Sequence, residues 1–298
     1  MRRRSSDRAR DGAAVGLLWI SPWLVGFGLF MLLPILVSLW YSLTDYELLS
    51  PAEFVGLANY TDLAGDAVFW KTIRNTAIYA SLWIPLQTVI ALVVAAWLAP
   101  PGRLVGVFRT AIFLPSLVPI VAASLVWLWM FRDRQSPLNA AVALIPGAGA
   151  PPWLTDETWA MASMVLVGLW AVGQPVVIYM TAMQDVPETL YEAAQLDGMG
   201  KLGCFWHITL PMISPLILFN VIIGIITAWQ VFAQPYIITE GEPNRATYFY
   251  TMYLYDVAFQ FRRMGYASAM AWVQLLIILS LTAAVLAGSR GLVHERSL

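Results

Sequence analysis

Hydrophobic and charged positions fall in long alternating blocks along this chain. Uncharged runs occupy 12–44, 75–102, 110–131, 158–184, 208–239 and 264–289, and the charged residues lie in the stretches between them. Each run can supply the roughly 20 apolar residues that carry a helix across a bilayer core. The pattern therefore predicts an all-α integral membrane protein with six transmembrane helices, at about 13–43, 75–99, 108–131, 159–183, 209–238 and 265–289. The stretch 135–155 is also uncharged, but Pro137, Pro146, Gly147, Gly149, Pro151 and Pro152 leave only 138–145 as an apolar helix. That is too short to cross, and it reads as a short helix lying at the outer surface. The mixed segment 45–71 is long enough for another short surface helix.

Composition agrees with this reading and charge orients it. Hydrophobic residues make up 59% of 298 positions and charged residues 12%, against about 25% in ordinary soluble domains. Arg2, Arg3, Arg4, Arg8 and Arg10 precede the first run, which is too long for a cleaved signal peptide and reads as a retained helix. With residues 1–12 as a cytoplasmic basic segment, the inner segments hold ten Arg or Lys against seven outside. Basic residues concentrate on the inner side of membrane proteins. Both termini, including a tail at 291–298, are then expected in the cytoplasm, and the loop between the fourth and fifth spans faces it too. A single cysteine, Cys204, excludes an internal disulfide and a cysteine-based metal cluster, and His207 and His294 are the only histidines. Cys204 reads as a small packing residue, and no metal site is expected.

That inner loop, 187–211, reads PETLYEAAQLDGMGKLGCFWHITLP. Pro187 suits a first helical turn, the residues to Leu196 are mostly good helix formers, and Gly198 can take the left-handed conformation that ends a helix. A second helical run starts at Lys201, so the segment reads as helix, turn and helix at a membrane surface. Its Glu192-Ala193-Ala194, Gly198, Ile208, Leu210 and Pro211 match the spaced pattern of the EAA loop, and the chain resembles the permeases of bacterial ABC importers. Phe54-Val55-Gly56-Leu57-Ala58-Asn59-Tyr60, Phe108-Arg109-Thr110 with Phe113-Leu114-Pro115, and Gly265-Tyr266-Ala267-Ser268-Ala269 resemble segments of the carbohydrate-type branch, which serves maltose-, trehalose- and glycerol-phosphate-type systems. The resemblance implies a type I importer permease fold of six spans in the bacterial cytoplasmic (inner) membrane. It also implies the 187–211 loop as the coupling helix seated in a cleft of a dimeric ATPase. Further implied partners are a second permease subunit, an extracytoplasmic solute-binding protein and membrane lipid, with no nucleic acid. One departure is visible: the family's Thr-x-Gly-Gly-Pro turn is here Thr239-Glu240-Gly241-Glu242-Pro243, so a positive φ at the position of Glu242 would require a different turn.

No catalytic constellation is evident. Gly198-Met199-Gly200-Lys201-Leu202 looks like part of a phosphate loop, but Gln195 stands where the first glycine belongs and Leu202 where Ser or Thr belongs. No ATP site or other cofactor is expected in this chain, and ATP and Mg would belong to the partner ATPase. No charge lies deep in a span, which argues against a proton-coupled carrier and against a membrane-embedded enzyme. Uncharged polar residues do occur there. Asn220, Gly224, Thr227, Val231 and Gln234 share a stripe on the fifth span, with Gln230 at its edge, and Ser163, Trp170, Gln174 and Thr181 share one on the fourth. Amides and hydroxyls suit a neutral polyol, so Gln174, Asn220, Thr227, Gln230 and Gln234 are the candidate solute-path residues. The alternative is that they join helices, as such residues commonly do. Glycerol-phosphate or phosphodiester import and a stand-alone secondary carrier are the competing functions. The membrane prolines read as kinks or hinges, and Trp40, Tyr41, Trp127 and Trp129 as interfacial aromatic residues.

Overall fold

In a computed structural model of the chain, residues 16–132, 136–146 and 149–289 are described. The arginines before the first span, Arg290, His294, Arg296 and the 291–298 tail lie outside them. The chain divides into two units. One holds the described residues up to Gly65 together with Tyr255–Val273, and the other holds Asp66–Leu254 with the residues from Gln274 onward.

In the first unit, helix α1 (Gly16–Ser42) contains a π turn at Gly28–Leu32, closed by Leu33 N–H to Gly28 O. Pro34 follows it at once. A proline ring collides with the carbonyl four residues back in a regular helix, and the wider turn relieves that collision. After α1, β1 (Thr44–Asp45) pairs antiparallel with β2 (Glu53–Phe54), and α2 (Ala58–Gly65) follows. The Asn59-Tyr60 pair ties this excursion to the end of α1. Asn59 Nδ2 donates to Ser42 O at 3.0 Å and Thr44 O at 2.9 Å, and the Tyr60 hydroxyl donates to Ser42 Oγ at 2.8 Å.

The second unit is built on α3 (Ala67–Leu98), which packs along much of its length against later helices. It starts about two turns before the expected 75. Asp66 accepts from the backbone N–H of Val68 (2.8 Å) and Phe69 (3.3 Å), so the helix is capped where the chain is still charged. The start of the uncharged run is therefore not the start of the helix. Next come α4 (Val105–Phe113), which tightens into a 3₁₀ turn at Leu114–Leu117, and α5 (Ile120–Arg132). The expected third span is thus two helices bent by 98°. Pro119 disfavours a helical conformation at Val118, which is extended (φ −73°, ψ 129°). A short helix, α6 (Pro137–Ala143), follows with Ser136 as its cap, as the proline-rich sequence suggests.

The fourth block gives α7 (Glu157–Trp170), capped by Asp156, and α8 (Gly173–Gln184), bent from it by 48°. The 187–211 loop forms α9 (Glu188–Leu196), and α10 (201–229) follows, with a π turn at Phe205–Thr209 just before Pro211. Contrary to expectation, the fifth block is not one helix to 238. It breaks after Trp229 and restarts as α11 (Ala233–Ile238). The chain closes with α12 (Tyr250–Tyr255), a π turn at Asp256–Gln260, and α13 (Met264–Ser289). Six uncharged blocks therefore give four candidate spans, of which the one over Lys201–Ile238 carries the break after Trp229, and two further pairs of helices bent by more than 40°.

Two apolar clusters fill this unit. One gathers Tyr79, Trp83, Trp127, Phe131, Met164 and Phe249, and the other Ala91, Ala95, Leu98, Val176, Tyr179 and Ile213. Ala91 and Ala95 are fully buried, and their small side chains let neighbouring helices approach α3 closely. Trp127 is not an interfacial residue. It is buried in the first cluster, 5.2 Å from Phe131 and edge-on to Trp170 at 6.1 Å. Trp40 and Trp129 are exposed, and Tyr41 stacks on Tyr46. The 239–243 turn places its positive φ at Glu240 (54°) and Gly241 (88°), not at Glu242, so an acid is sterically permitted there. Asp66 also accepts from the Tyr253 hydroxyl. Replacing it by alanine removes the helix cap and should destabilise the detergent-solubilised protein by about 1–2 kcal/mol. Asp66→Asn should restore most of the loss in the denaturation midpoint.

Candidate solute cavity and coupling loop

Two of the three interrupted blocks, the fourth and the fifth, restart in the same way. After Trp229 the chain unwinds over 230–232 and begins α11 with Ala233-Gln234-Pro235. After Trp170 it begins α8 with Gly173-Gln174-Pro175. In an unbroken helix Pro235 would oppose the carbonyl of Val231, and Pro175 that of Ala171, without an N–H to offer either. A third helical position tolerates proline because the first N–H groups of a helix have no partner within it. The carbonyl freed at Trp229 accepts from Gln274 Nε2 and from Thr251 Oγ1 (3.1 Å). Unwinding in an apolar layer is stable only with such replacements.

Both breaks open onto one cavity of about 710 Å³. Its walls include Gln174 from α8, Asn220, Gly224 and Thr227 from α10, Gln230 and Val231 from the unwound segment, and Gln234 from α11. All five sequence-predicted solute-path residues thus come together. Their stripe is not one helical face, since its last members lie beyond the break. The rest of the fourth-span stripe is elsewhere. Ser163 is buried and donates to Trp153 O (3.1 Å), Trp170 packs on Trp127, and Thr181 donates to Val177 O (2.9 Å). A third wall, missed from the sequence, is Tyr79, Trp83 and Gln87 of α3, at i, i+4 and i+8, with Phe232 adding a ring from the unwound segment. The repeated small-Gln-Pro triplet was the available signal for paired breaks. No Asp, Glu, Lys, Arg or His is among the lining residues. The cavity offers amides, a hydroxyl and aromatic rings, which bind by hydrogen bonding and apolar contact and perform no acid–base chemistry.

The 187–211 loop is ordered by its own backbone. Helix α9 closes with Gly198 N–H on Gln195 O (3.0 Å) and Met199 N–H on Ala194 O (2.9 Å), and Gly198 takes φ +78°. This is a Schellman ending, which needs a residue free to adopt a left-handed conformation. Glu192 and Ala193 are exposed, whereas Ala194 is buried within the chain, so of the two small residues only Ala193 is open to a partner. Ile208 sits in the π turn, Leu210 and Pro211 just after it, all half-buried. The Tyr191 hydroxyl and Thr209 Oγ1 lie 2.9 Å apart and join α9 to that turn. Leu196 (90% exposed) and Leu202 (78%) flank the Gly198 turn as a bare apolar pair. Behind the loop, Arg109 Nη2 donates to Leu98 O (2.8 Å) and Gln184 Nε2 to Ala99 O (2.9 Å), binding the last carbonyls of α3 to α4 and α8.

The sequence pattern of the binding-protein-dependent transport system inner membrane component matches residues 87–294, more than half of the chain. The chain belongs to this family. The permease is 32% identical over 299 residues to "Probable ABC transporter permease protein YesP" of Bacillus subtilis (strain 168), covering 99% of its own length and 96% of that relative. It is 35% identical over 269 residues to the "Lactose transport system permease protein LacF" of Rhizobium radiobacter, covering 88% and 90%. Its fold is shared, with a TM-score of 0.81 at 20% identity and 96% coverage of both chains, by a chain in the crystal structure of a bacterial alginate ABC transporter in complex with alginate pentasaccharide-bound periplasmic protein. It is a multi-pass membrane subunit of an ABC transporter and not itself an enzyme. The matched range includes the 187–211 loop and most of the cavity, but begins after Tyr79 and Trp83.

The burial difference within the Ala193-Ala194 pair has a direct consequence. Ala194→Trp should destabilise the isolated permease by about 1–3 kcal/mol through overpacking. Ala193→Trp, on the exposed side, should stay within about 0.5 kcal/mol of the parent. Denaturation midpoints of the two detergent-solubilised variants test this.

Proposed function

We propose that this permease imports a neutral sugar or sugar-like solute across the bacterial cytoplasmic membrane. An extracytoplasmic binding protein delivers the solute, a second permease subunit completes the pathway, and a separate dimeric ATPase binds ATP and Mg and drives the cycle. In this reading each bent helix pair counts as one of six spans, and both termini are cytoplasmic. The observation that carries the solute class is the convergence of Gln174, Asn220, Thr227, Gln230 and Gln234 on one cavity without a charged lining residue. A ring of hydroxyls needs many neutral donors and acceptors at close range. A phosphate would call for Arg or Lys. The lactose system among its relatives points the same way. The inner loop, as the coupling element, would present Glu192, Ala193, Leu196 and Leu202 to the ATPase, while Gly198 sets the direction in which the chain leaves α9.

Uptake by the reconstituted complex, using the binding protein of the same system and the sugar it binds, tests the solute path. Gln230→Ala or Thr227→Leu should lower uptake at limiting solute by about five-fold to a hundred-fold, the equivalent of a lost hydrogen bond or an orphaned polar group at about 1–3 kcal/mol. The ATPase should still co-purify. Unchanged uptake, or loss of the assembled complex, would assign these residues to helix packing.

Coupling is tested separately. Gly198→Val places a β-branched residue in a left-handed conformation, a strain of about 1–2 kcal/mol confined to the loop. The variant should insert normally and pair with the second permease, yet lose solute-stimulated ATP hydrolysis and uptake together. Retained stimulation would remove this loop as the coupling element.

A further inference from the structure

The α3 wall of the cavity holds an aromatic pair with an unusual seat. Tyr79 and Trp83 stack with centroids 5.9 Å apart and planes 10° apart, both nearly fully buried and both reaching the cavity surface. The Trp83 indole lies between glycines of two other helices. A methyl group at Gly168 of α7 would stand 2.5 Å from Trp83 Nε1, 2.8 Å from its Cδ1 and 2.8 Å from the Tyr79 hydroxyl oxygen. One at Gly224 of α10 would stand 3.9 Å from Trp83 Cζ3. The pyrrole edge is therefore pressed against α7 backbone, and the benzo edge has ordinary room beside α10. The indole N–H has no hydrogen-bond partner among the described residues. Stacking and the missing side chain at 168 position this ring, and no polar anchor does.

We propose that Trp83, seated by Gly168, is the specificity-determining wall of the cavity and sets the largest solute that enters it. This rests on the reading of the cavity as the solute path. With only hydrogen at 168 the ring withdraws against α7 and leaves the space of about 710 Å³ open. A side chain at 168 cannot be accommodated in place. Tyr79 is stacked on the indole, so the pair shifts together, and the unfilled space beside it is the cavity. The chemistry selects a neutral glycoside whose C–H face lies on the aromatic wall while its hydroxyls reach the amides of Gln174, Gln230 and Gln234. The equivalent change at Gly224 meets only normal contact distances and narrows the cavity less.

The test measures cavity size without requiring the natural solute. In the full transporter complex with Cys204→Ala, a Gln230→Cys reporter is reacted with methyl methanethiosulfonate and with a bulky benzophenone methanethiosulfonate. Both should react in the parent. Gly168→Ala should slow the bulky reagent by about ten-fold relative to the small one, as an overpacked wall intrudes. Gly224→Ala should slow it less, and Gly168→Ala with Trp83→Leu should recover the parent ratio. Equal slowing of both reagents, or no recovery in the double variant, overturns the size limit and leaves the solute path standing. No reaction of the reporter with either reagent removes the solute path, and the size limit with it. Should Gly168→Ala fail to assemble, assembly and normal reactivity of the double variant support the collision with Trp83. Failure of the double variant as well overturns it.

Discussion

A bilayer core offers no water to a backbone carbonyl or amide, and every departure from a regular helix must find its replacement hydrogen bonds inside the protein. That constraint determines where this chain can bend. The carbonyl of Trp229 is released by unwinding and taken up by Gln274 and Thr251. The last carbonyls of α3 are held by Arg109 and Gln184, which reach them from two different helices. Thr76 Oγ1, deep in α3, accepts the backbone N–H of Tyr250 where α12 begins. Each of these three sites is thus matched by one or two side chains from elsewhere in the sequence, and losing a partner would leave a buried polar group whose desolvation costs about 1–3 kcal/mol.

The cavity is a product of the same economy of hydrogen bonds. A straight helix turns its own amides inward and can offer a solute only side chains. Two breaks, each restarted by a small-Gln-Pro triplet, bring glutamines from separate helices to one space and leave their amides without a backbone role. The aromatic wall on α3 supplies the apolar surface those amides lack. Neutral polar groups around a mid-span void are tolerable where charges would not be, because an uncharged amide carries a far smaller desolvation penalty than an ion.

Six apolar blocks were legible because charge is excluded from lipid by several kcal/mol per residue, a rule written directly into residue type. Helix ends were less legible. Asp66 caps α3 two turns outside the uncharged run, since capping depends on side-chain geometry and not on hydropathy. The prolines at 115, 119 and 175 read as kinks or hinges, but the angle each produces depends on what the neighbouring helices allow, and Pro235 was not among the residues read that way. Trp127 looked interfacial by position, and only the packing of Phe131 and Trp170 around it buries it. The candidate polar residues converged although the single stripe proposed for them was broken. A tryptophan in an aliphatic run ordinarily reads as packing, and the relation of Trp83 to Gly168 exists only in three dimensions.

The π turn at Phe205–Thr209 gives α10 one residue more than regular winding would need between the 187–211 loop and the cavity. A residue of α-helix occupies about 100° of rotation. Everything downstream is therefore held in a phase that the extra residue defines, including the faces on which Asn220 and Thr227 reach the cavity. Deleting a single position in this turn would leave composition, hydropathy and length almost unchanged while turning those faces by about that angle toward lipid or a neighbouring helix. The register of this turn is therefore a constraint on length in its own right: between the 187–211 loop and the cavity the chain is counted to the residue.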